Sequence, residues 1–391
     1  MKKIILTALI LITSFILVGC KKEVPNVNNT ECNNIFELSQ EFKDSSSSML
    51  YCDFNWTSDY FDTIINLRIF INPQVDSQDI EKNVEEIIEY YHQISDKYNP
   101  YDNVTNIYTL NQNPTDTHTV DKELINIIEL SLYHEKNTSD LFSISLGPVL
   151  EIWHDYREAC IPDPFEYNSW SGTCEKPTQD ELNVTIPYMD SDNITIDEAN
   201  NTITMTENMK LDLGAVSKGY MSQKLKDYLD SLDISGYLLN AGTSIILAGG
   251  QYGLRDSGIF NVVATDPTYS LKIGSPNTNK SWYAWLEITD GDVIVTSGDY
   301  DRFYMAGDEY LHHIIDPNTL QPERNLRAVT LVTNNAALGD IYSTAIFLMT
   351  VEDGIEFVNS IPNLEAIWYG MDGTISYSEN LESEYLRTLN E

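Results

Sequence analysis

Three stretches of the chain have residue types and spacings that could do chemistry at a phosphate. In DIYSTAIFLM, Asp340 to Met349, a carboxylate and a hydroxyl stand at i and i+4, so on a helix Asp340 and Thr344 share one face. With a carbonyl added, such a hard oxygen set suits magnesium, which keeps some waters and binds substrate phosphates rather than filling a closed protein cage. The plainer alternative is a capping aspartate followed by a buried hydroxyl. In DLGAVSKGY, Asp212 to Tyr220, Gly214 precedes an amphipathic helix marked by Met221, Leu225, Leu229 and Leu232. A loop-to-helix junction of this kind favours anions, and Lys218 adds a full positive charge, although any strand-to-helix turn with a glycine looks similar. In HHIIDP, His312 to Pro317, the adjacent histidines point to opposite sides if the segment is extended, so at most one can face a given site.

The elements that must position these groups are legible as periodicities. Ile65, Leu67, Ile69 and Ile71 alternate with Asn66, Arg68 and Phe70, predicting a half-buried strand just after Tyr60. Ile80, Val84, Ile87, Ile88, Tyr91 and Ile94 recur at helical spacing and predict a helix ending near Lys97; Leu124, Ile128 and Leu132 predict another. FSISLGPVLEIW, Phe142 to Trp153, reads as a buried segment that Gly147-Pro148 would break. Thr178 and Glu181 match a capping box, and ITIDEANNTITM a hairpin turning near Asn200-Asn201. A strand-like start leads into Asp212. Later segments are mainly strands: GYLLNAGTSIILAGG, YAWLEIT, DVIVTSG and LRAVTLVT, with a hairpin through Asp372-Gly373 after the Asp340 helix.

At the amino end, Lys2 and Lys3 precede an apolar run from Ile4 to Val18, the layout of a secretory signal. The run ends in LVGC, Leu17 to Cys20, which resembles the bacterial lipobox. That likeness implies a signal peptide over 1–19, a lipid-modified Cys20, and a membrane-anchored protein outside the cytoplasm. Residues 20–50, rich in Asn, Ser and charge, read as a solvated tether. Residues 51–391 then form one folded body, large enough for a sizeable core at 42% hydrophobic composition. With 23 basic and 60 acidic residues the net charge is −37, which repels nucleic acid and anionic lipid surfaces. An anionic ligand would need a cation or a local basic group.

Besides Cys20, the cysteines are Cys32, Cys52, Cys160 and Cys174, an even set with three possible pairings in an oxidising compartment. Cys160 with Cys174 would clip an insertion containing Pro162, Pro164 and Trp170. Neither a CxxC nor suitable histidine spacing points to zinc.

Taken in order, DLGAVSKGY, TSGDYDRFY, HHIIDPNTLQP and DIYSTAIFLM resemble the ApbE family of FAD:protein FMN transferases. The likeness covers most of Tyr60 to Ser378. It implies a T-fold-like α+β body, two-lobed, with mixed or antiparallel sheets, packed helices and FAD between the lobes. It implies magnesium-dependent transfer of FMN from FAD to a Thr or Ser hydroxyl of an extracytoplasmic acceptor protein, with release of AMP. Matched residue by residue, the metal site falls on Ala215, Asp340 and Thr344. Flavin or pyrophosphate contacts fall on Phe61, Tyr98, Leu141, Phe142, Ser143, Asp212, Lys218, Gly242 and Thr243. The nucleophile belongs to the acceptor, so this chain needs only a group to take the hydroxyl proton; His313 and Asp316 are the candidates by type.

The chain departs from the family pattern in three places. It has Phe61-Asp62-Thr63 for a usual Met-Gly-Thr, Ser143 for a common Asp, and Gly242-Thr243-Ser244 for a Gly-Gly-Asp run. The metal ligands are untouched by these changes, whereas the flavin contacts are altered. Two other readings compete: an FAD pyrophosphatase sharing the metal site, and a non-catalytic flavin- or solute-binding surface lipoprotein.

Overall fold

The computed structural model describes residues 36–37, 50–71, 77–160, 174–242, 244–250, 260–265, 282–300 and 302–389. From the amino end the strands are β1 (Phe36–Glu37), β2 (Leu50–Tyr60), β3 (Thr63–Ile71), and the short β4 (His118–Thr119), β5 (Thr195–Asp197) and β6 (Thr202–Thr204). Next come β7 (Gly236–Ala241), β8 (Ile245–Gly250), β9 (Phe260–Thr265), β10 (Trp282–Ile288) and β11 (Val293–Gly298). The remainder are β12 (Phe303–Ala306), β13 (Glu309–His312), β14 (Leu326–Thr333), β15 (Glu365–Gly370), β16 (Ile375–Tyr377) and β17 (Leu386–Leu389). The helices are α1 (Ser77–Ser95), α2 (Ile107–Gln112), α3 (Lys122–Asn137), α4 (Gly147–Cys160), α5 (Gln179–Asn183), α6 (Ser217–Asp230), α7 (Ala336–Leu348), α8 (Val351–Asn359) and α9 (Leu381–Glu384).

The layers follow from the alternation of side chains along the strands. A nine-stranded sheet, β1-β2-β3-β7-β8-β11-β14-β15-β16, runs through the middle with each neighbouring pair antiparallel. On β3, Ile65, Leu67, Ile69 and Ile71 face one side and join a core with α1, α3, α6 and α7. Phe70 faces the other side, where with Ala248, Ile294 and Val332 it packs under the small sheet β17-β10-β9. A third core joins α4 to the β12-β13 hairpin through Val149, Trp153, Tyr304 and Leu311. Segregated helices over antiparallel sheets make the fold α+β, as expected.

The alternation on β3, the Thr178–Glu181 capping box, the β5-β6 hairpin with Asn201 at φ 52° and the β15-β16 hairpin all form. Cys160 and Cys174 are bonded, with their Cα atoms 5.2 Å apart. Gly147-Pro148, in contrast, starts a helix instead of breaking one: a proline in the first turn has no hydrogen-bond partner to lose. The glycine is needed because a Cβ there would lie 2.5 Å from the Lys210 carbonyl oxygen. The approach to Asp212 is no strand; it is pinned by Asp212 N–H to the Ile144 carbonyl (2.8 Å) and Leu211 N–H to Asn111 Oδ1 (2.7 Å).

Order also begins before Tyr60, since β2 pairs with β3 along most of its length. Phe36 and Glu37, within the segment read as tether, pair with Tyr51 and Leu50. The lipobox with Cys20, the rest of the tether, and Thr243 lie outside the described residues. Among the described residues no helix is long and apolar enough to cross a membrane.

Candidate active site

A cleft of about 1160 Å³ opens where β2, β3, β7 and the end of β11 meet the start of α6, one face of α7, one face of α4 and the residues around the end of β13. Against a molecule of charge −37, its lining is balanced: Arg68, Lys97, Arg157, Lys218 and Arg302 face Asp53, Asp62, Asp96, Asp212 and Asp340. An anion therefore meets within the cleft a field unlike that of the surface outside.

The α6–α7 contact builds one end of it. Gly219 sits in the first turn of α6, and a Cβ there would fall 2.4 Å from the Ala336 carbonyl and 2.5 Å from Asp340 Cβ, so glycine lets the helices touch. The Gly219 N–H donates to Asp340 Oδ2 at 2.8 Å. Asn335 caps α7 and Val216 gives α6 no side-chain cap, so Asp340 serves as an interhelical cap for α6, not as the cap of its own helix. Burial pushes the Asp340 carboxyl above the ordinary range, opposed by Lys218 and the Gly219 N–H. Thr344 donates to the Asp340 carbonyl at 3.3 Å. Lys218 Nζ reaches Ser244 Oγ at 2.6 Å.

Ala215, Asp340 and Thr344 all line the cleft. Their donors would be oxygens alone: carbonyl, carboxylate and hydroxyl. Among the described residues the Asp340 carboxylate accepts a hydrogen bond at Oδ2, and none is made to Oδ1. A buried carboxylate with an oxygen to spare fits a hard cation. Among the described residues no group of three or more His, Cys, Asp or Glu could hold a metal.

The turn before α6 is held from two directions. Asp212 Oδ1 accepts from Gly214 N–H at 2.8 Å, and Oδ2 lies 2.5 Å from Lys97 Nζ. Burial raises the Asp212 carboxyl, but Lys97 and the Gly214 N–H more than offset it and the group titrates below the usual range. Tyr98 is exposed, stacks near His154 (5.3 Å between rings) and has the Lys97 ammonium 4.9 Å from its ring centre.

Phe61 and Asp62 form the β2-β3 tip in left-handed conformation, φ 54° and 50°. His92 Nδ1 accepts the Phe61 N–H at 3.2 Å, and Asp62 lies 3.7 Å from Arg302. Gly242, φ 70°, passes so close to Thr63 that a Cβ would be 2.2 Å from its Oγ1. Leu141 and Ser143 edge the cleft; Phe142 is 1% exposed and serves chiefly the core. The Ser143 hydroxyl is spent locally on Ser145 Oγ at 2.9 Å.

The two histidines do part company. Both line the cleft, but His312 is buried, while His313 stands exposed there with Nδ1 3.2 Å from the Arg302 carbonyl. The enclosing walls, and then Arg302, hold the His313 imidazolium well below the usual histidine range. Asp316 is not brought to the cleft. Its carboxylate accepts from Asn318 N–H (2.8 Å) and closes the turn leading to Gln321. The residue type was right for a base; the local turn chemistry claimed it instead.

The cleft also gathers Lys97, Arg157, Arg302 and an in-register row, Asn55-Asn66-Asn240, across β2, β3 and β7, none of which the sequence pattern singles out. Their signal was polar residues at the alternate positions of otherwise apolar strands, and cations in an acidic chain.

The ApbE family model matches residues 61–368. The chain is 22% identical to the FAD:protein FMN transferase of Klebsiella pneumoniae over 253 residues, 64% of this chain and 70% of that protein. It is 24% identical to the FAD:protein FMN transferase of Vibrio cholerae over 308 residues, 77% and 84% of the two. Among solved structures, the ApbE protein of Thermotoga maritima superposes with a TM-score of 0.69 at 21% identity, covering 85% of this chain and 98% of that one. The apo flavinyl transferase ApbE of Pseudomonas stutzeri gives 0.67 at 16%, covering 86% and 96%. At such identities the superpositions establish the fold.

Proposed function

Because the chain belongs to the ApbE family, we propose that it is an FAD:protein FMN transferase, moving FMN from FAD to a Thr or Ser hydroxyl of an acceptor protein outside the cytoplasm. One observation carries this reading: the Gly219 N–H to Asp340 Oδ2 contact, which joins the DLGAVSKGY turn to the one carboxylate of α7 at one cleft end. The names of the relatives support the same activity. The LVGC motif supports a lipid anchor on Cys20 and hence an extracytoplasmic acceptor.

In the reaction the acceptor oxygen bonds to the FMN phosphorus, the bond from that phosphorus to the bridging oxygen breaks, and AMP leaves with that oxygen. Lys218 and the amino end of α6 draw the pyrophosphate to the α6–α7 end. A magnesium ion held by the Ala215 carbonyl, the Asp340 carboxylate and the Thr344 hydroxyl would neutralise the phosphates. Phe61 and Tyr98 offer ring faces to the flavin. His313 is the proton acceptor: a carbonyl only accepts, so Nδ1 carries the hydrogen facing Arg302 and Nε2 keeps its lone pair. Its low basicity, set by burial and then Arg302, rises when an anion enters.

The test is mass spectrometry of an acceptor domain incubated with residues 21–391, FAD and Mg²⁺. One added FMN on the acceptor with release of AMP, lost in Asp340→Ala, is the expected result. Free FMN and AMP with an unmodified acceptor would make the protein a pyrophosphatase, and unchanged FAD would leave a binding protein.

A further inference from the structure

Lys97 stands at a junction that no local sequence pattern marks. It follows the carboxyl end of α1, where a cation is favoured, and its ammonium lies both 2.5 Å from Asp212 Oδ2 and 4.9 Å from the centre of the Tyr98 ring. Those two residues come from segments more than a hundred positions apart, and both face the cleft. Asp212 uses its other oxygen to hold the Gly214 N–H at 2.8 Å; Val216 N–H and Ser217 N–H then close onto the Leu213 carbonyl at 3.0 and 2.8 Å. Ala215 therefore lies between the Gly214 N–H, held by the Asp212 carboxylate, and two N–H groups held by the carbonyl of Leu213, the residue next to Asp212.

Stability alone is a poor reason for this arrangement. The Lys97 and Asp212 side chains are 19% and 12% exposed, and a largely buried ion pair is on average no more stabilising than an apolar pair of the same volume. Among the described residues Lys97 has no carboxylate partner other than Asp212. The pair also lies on the cleft wall, not in any of the three apolar cores.

We infer that Lys97 is a positioning residue: by pairing with Asp212 it fixes the 212–216 turn, and with it the Ala215 carbonyl, while bracing the ring of Tyr98. This rests on the proposed function in that Ala215 and Tyr98 are read as ligand contacts. Lys97 acts through Asp212 and does not bind the pyrophosphate itself.

Titration calorimetry of FAD into the full-length protein at saturating Mg²⁺ tests this with Lys97→Met, Asp212→Asn and the double variant, and with thermal midpoints measured alongside. Each single change is expected to weaken FAD binding about tenfold and to raise the Mg²⁺ needed, and the double change to add little to either, as for residues acting as one unit. Lys97→Arg should restore most of the affinity. Additive losses, or losses that follow a fall in the thermal midpoint, overturn the inference while leaving the function standing. Absence of FAD binding by the parent protein overturns both.

Discussion

His312 accepts the Ile314 N–H at Nδ1 (3.2 Å), so its Nε2 carries the hydrogen given to the Glu323 carbonyl, and both nitrogens are committed to the neutral ring. Burial then pushes its pKa from 6.5 down to about 4. With the folded value below the unfolded one, the unfolded chain takes up the proton first, so stability falls as pH drops from about 6.5 to about 4. Thermal midpoints across that window should fall less steeply in His312→Leu than in the parent. The variant should start lower at pH 7, by about 1–3 kcal/mol, because two backbone groups lose their partner. A parallel slope would show that His312 is not the titrating group. That the two histidines face opposite ways follows from the extended backbone alone and was legible in the sequence. Which of them stood exposed in the cleft was not, since that depends on the distant Arg302 and Glu323.

At the scale of elements, the α6–α7 contact decides whether there is a site. Gly219→Ala places a methyl group against the Ala336 carbonyl and Asp340 Cβ, neither of them the end of a flexible side chain. The helices must separate, with an expected loss of about 1–3 kcal/mol in chemical denaturation and a larger proportional loss of FAD affinity by calorimetry. Unchanged affinity would mean that the contact is not part of the ligand site. Both helices were legible, because Met221, Leu225 and Leu229 repeat at helical spacing and α7 is apolar almost all round. The capping of α6 by Asp340 was not, because it pairs residues 121 positions apart. Local patterns also found β3, the capping box and two hairpins. They missed Lys97, which lies in a turn-rich segment without period, and misjudged Asp316, whose role is set by a turn three residues long.

For the molecule as a whole, the −37 charge and the balanced cleft oppose one another in bringing in an anion. At about 10 mM salt the surface field extends about 30 Å and repels dianionic FAD; at about 150 mM it is screened within about 8 Å, too short to reach far beyond the cleft mouth. The association rate for FAD measured by stopped flow is therefore expected to rise with salt over this range, opposite to the trend for a basic binding protein. A falling rate would show that Lys97, Lys218 and the cleft arginines govern the approach from outside. The sheet that closes the far side of the molecule also sets an order of events during synthesis. Its strand β17 (386–389) lies beside β10 (282–288), and both cover Phe70 and Val332 of the nine-stranded sheet. A ribosome must add about a hundred residues after β10 before that pairing is possible. Until then the apolar face around Phe70 and Val332 has only β9 and β10 to shield it.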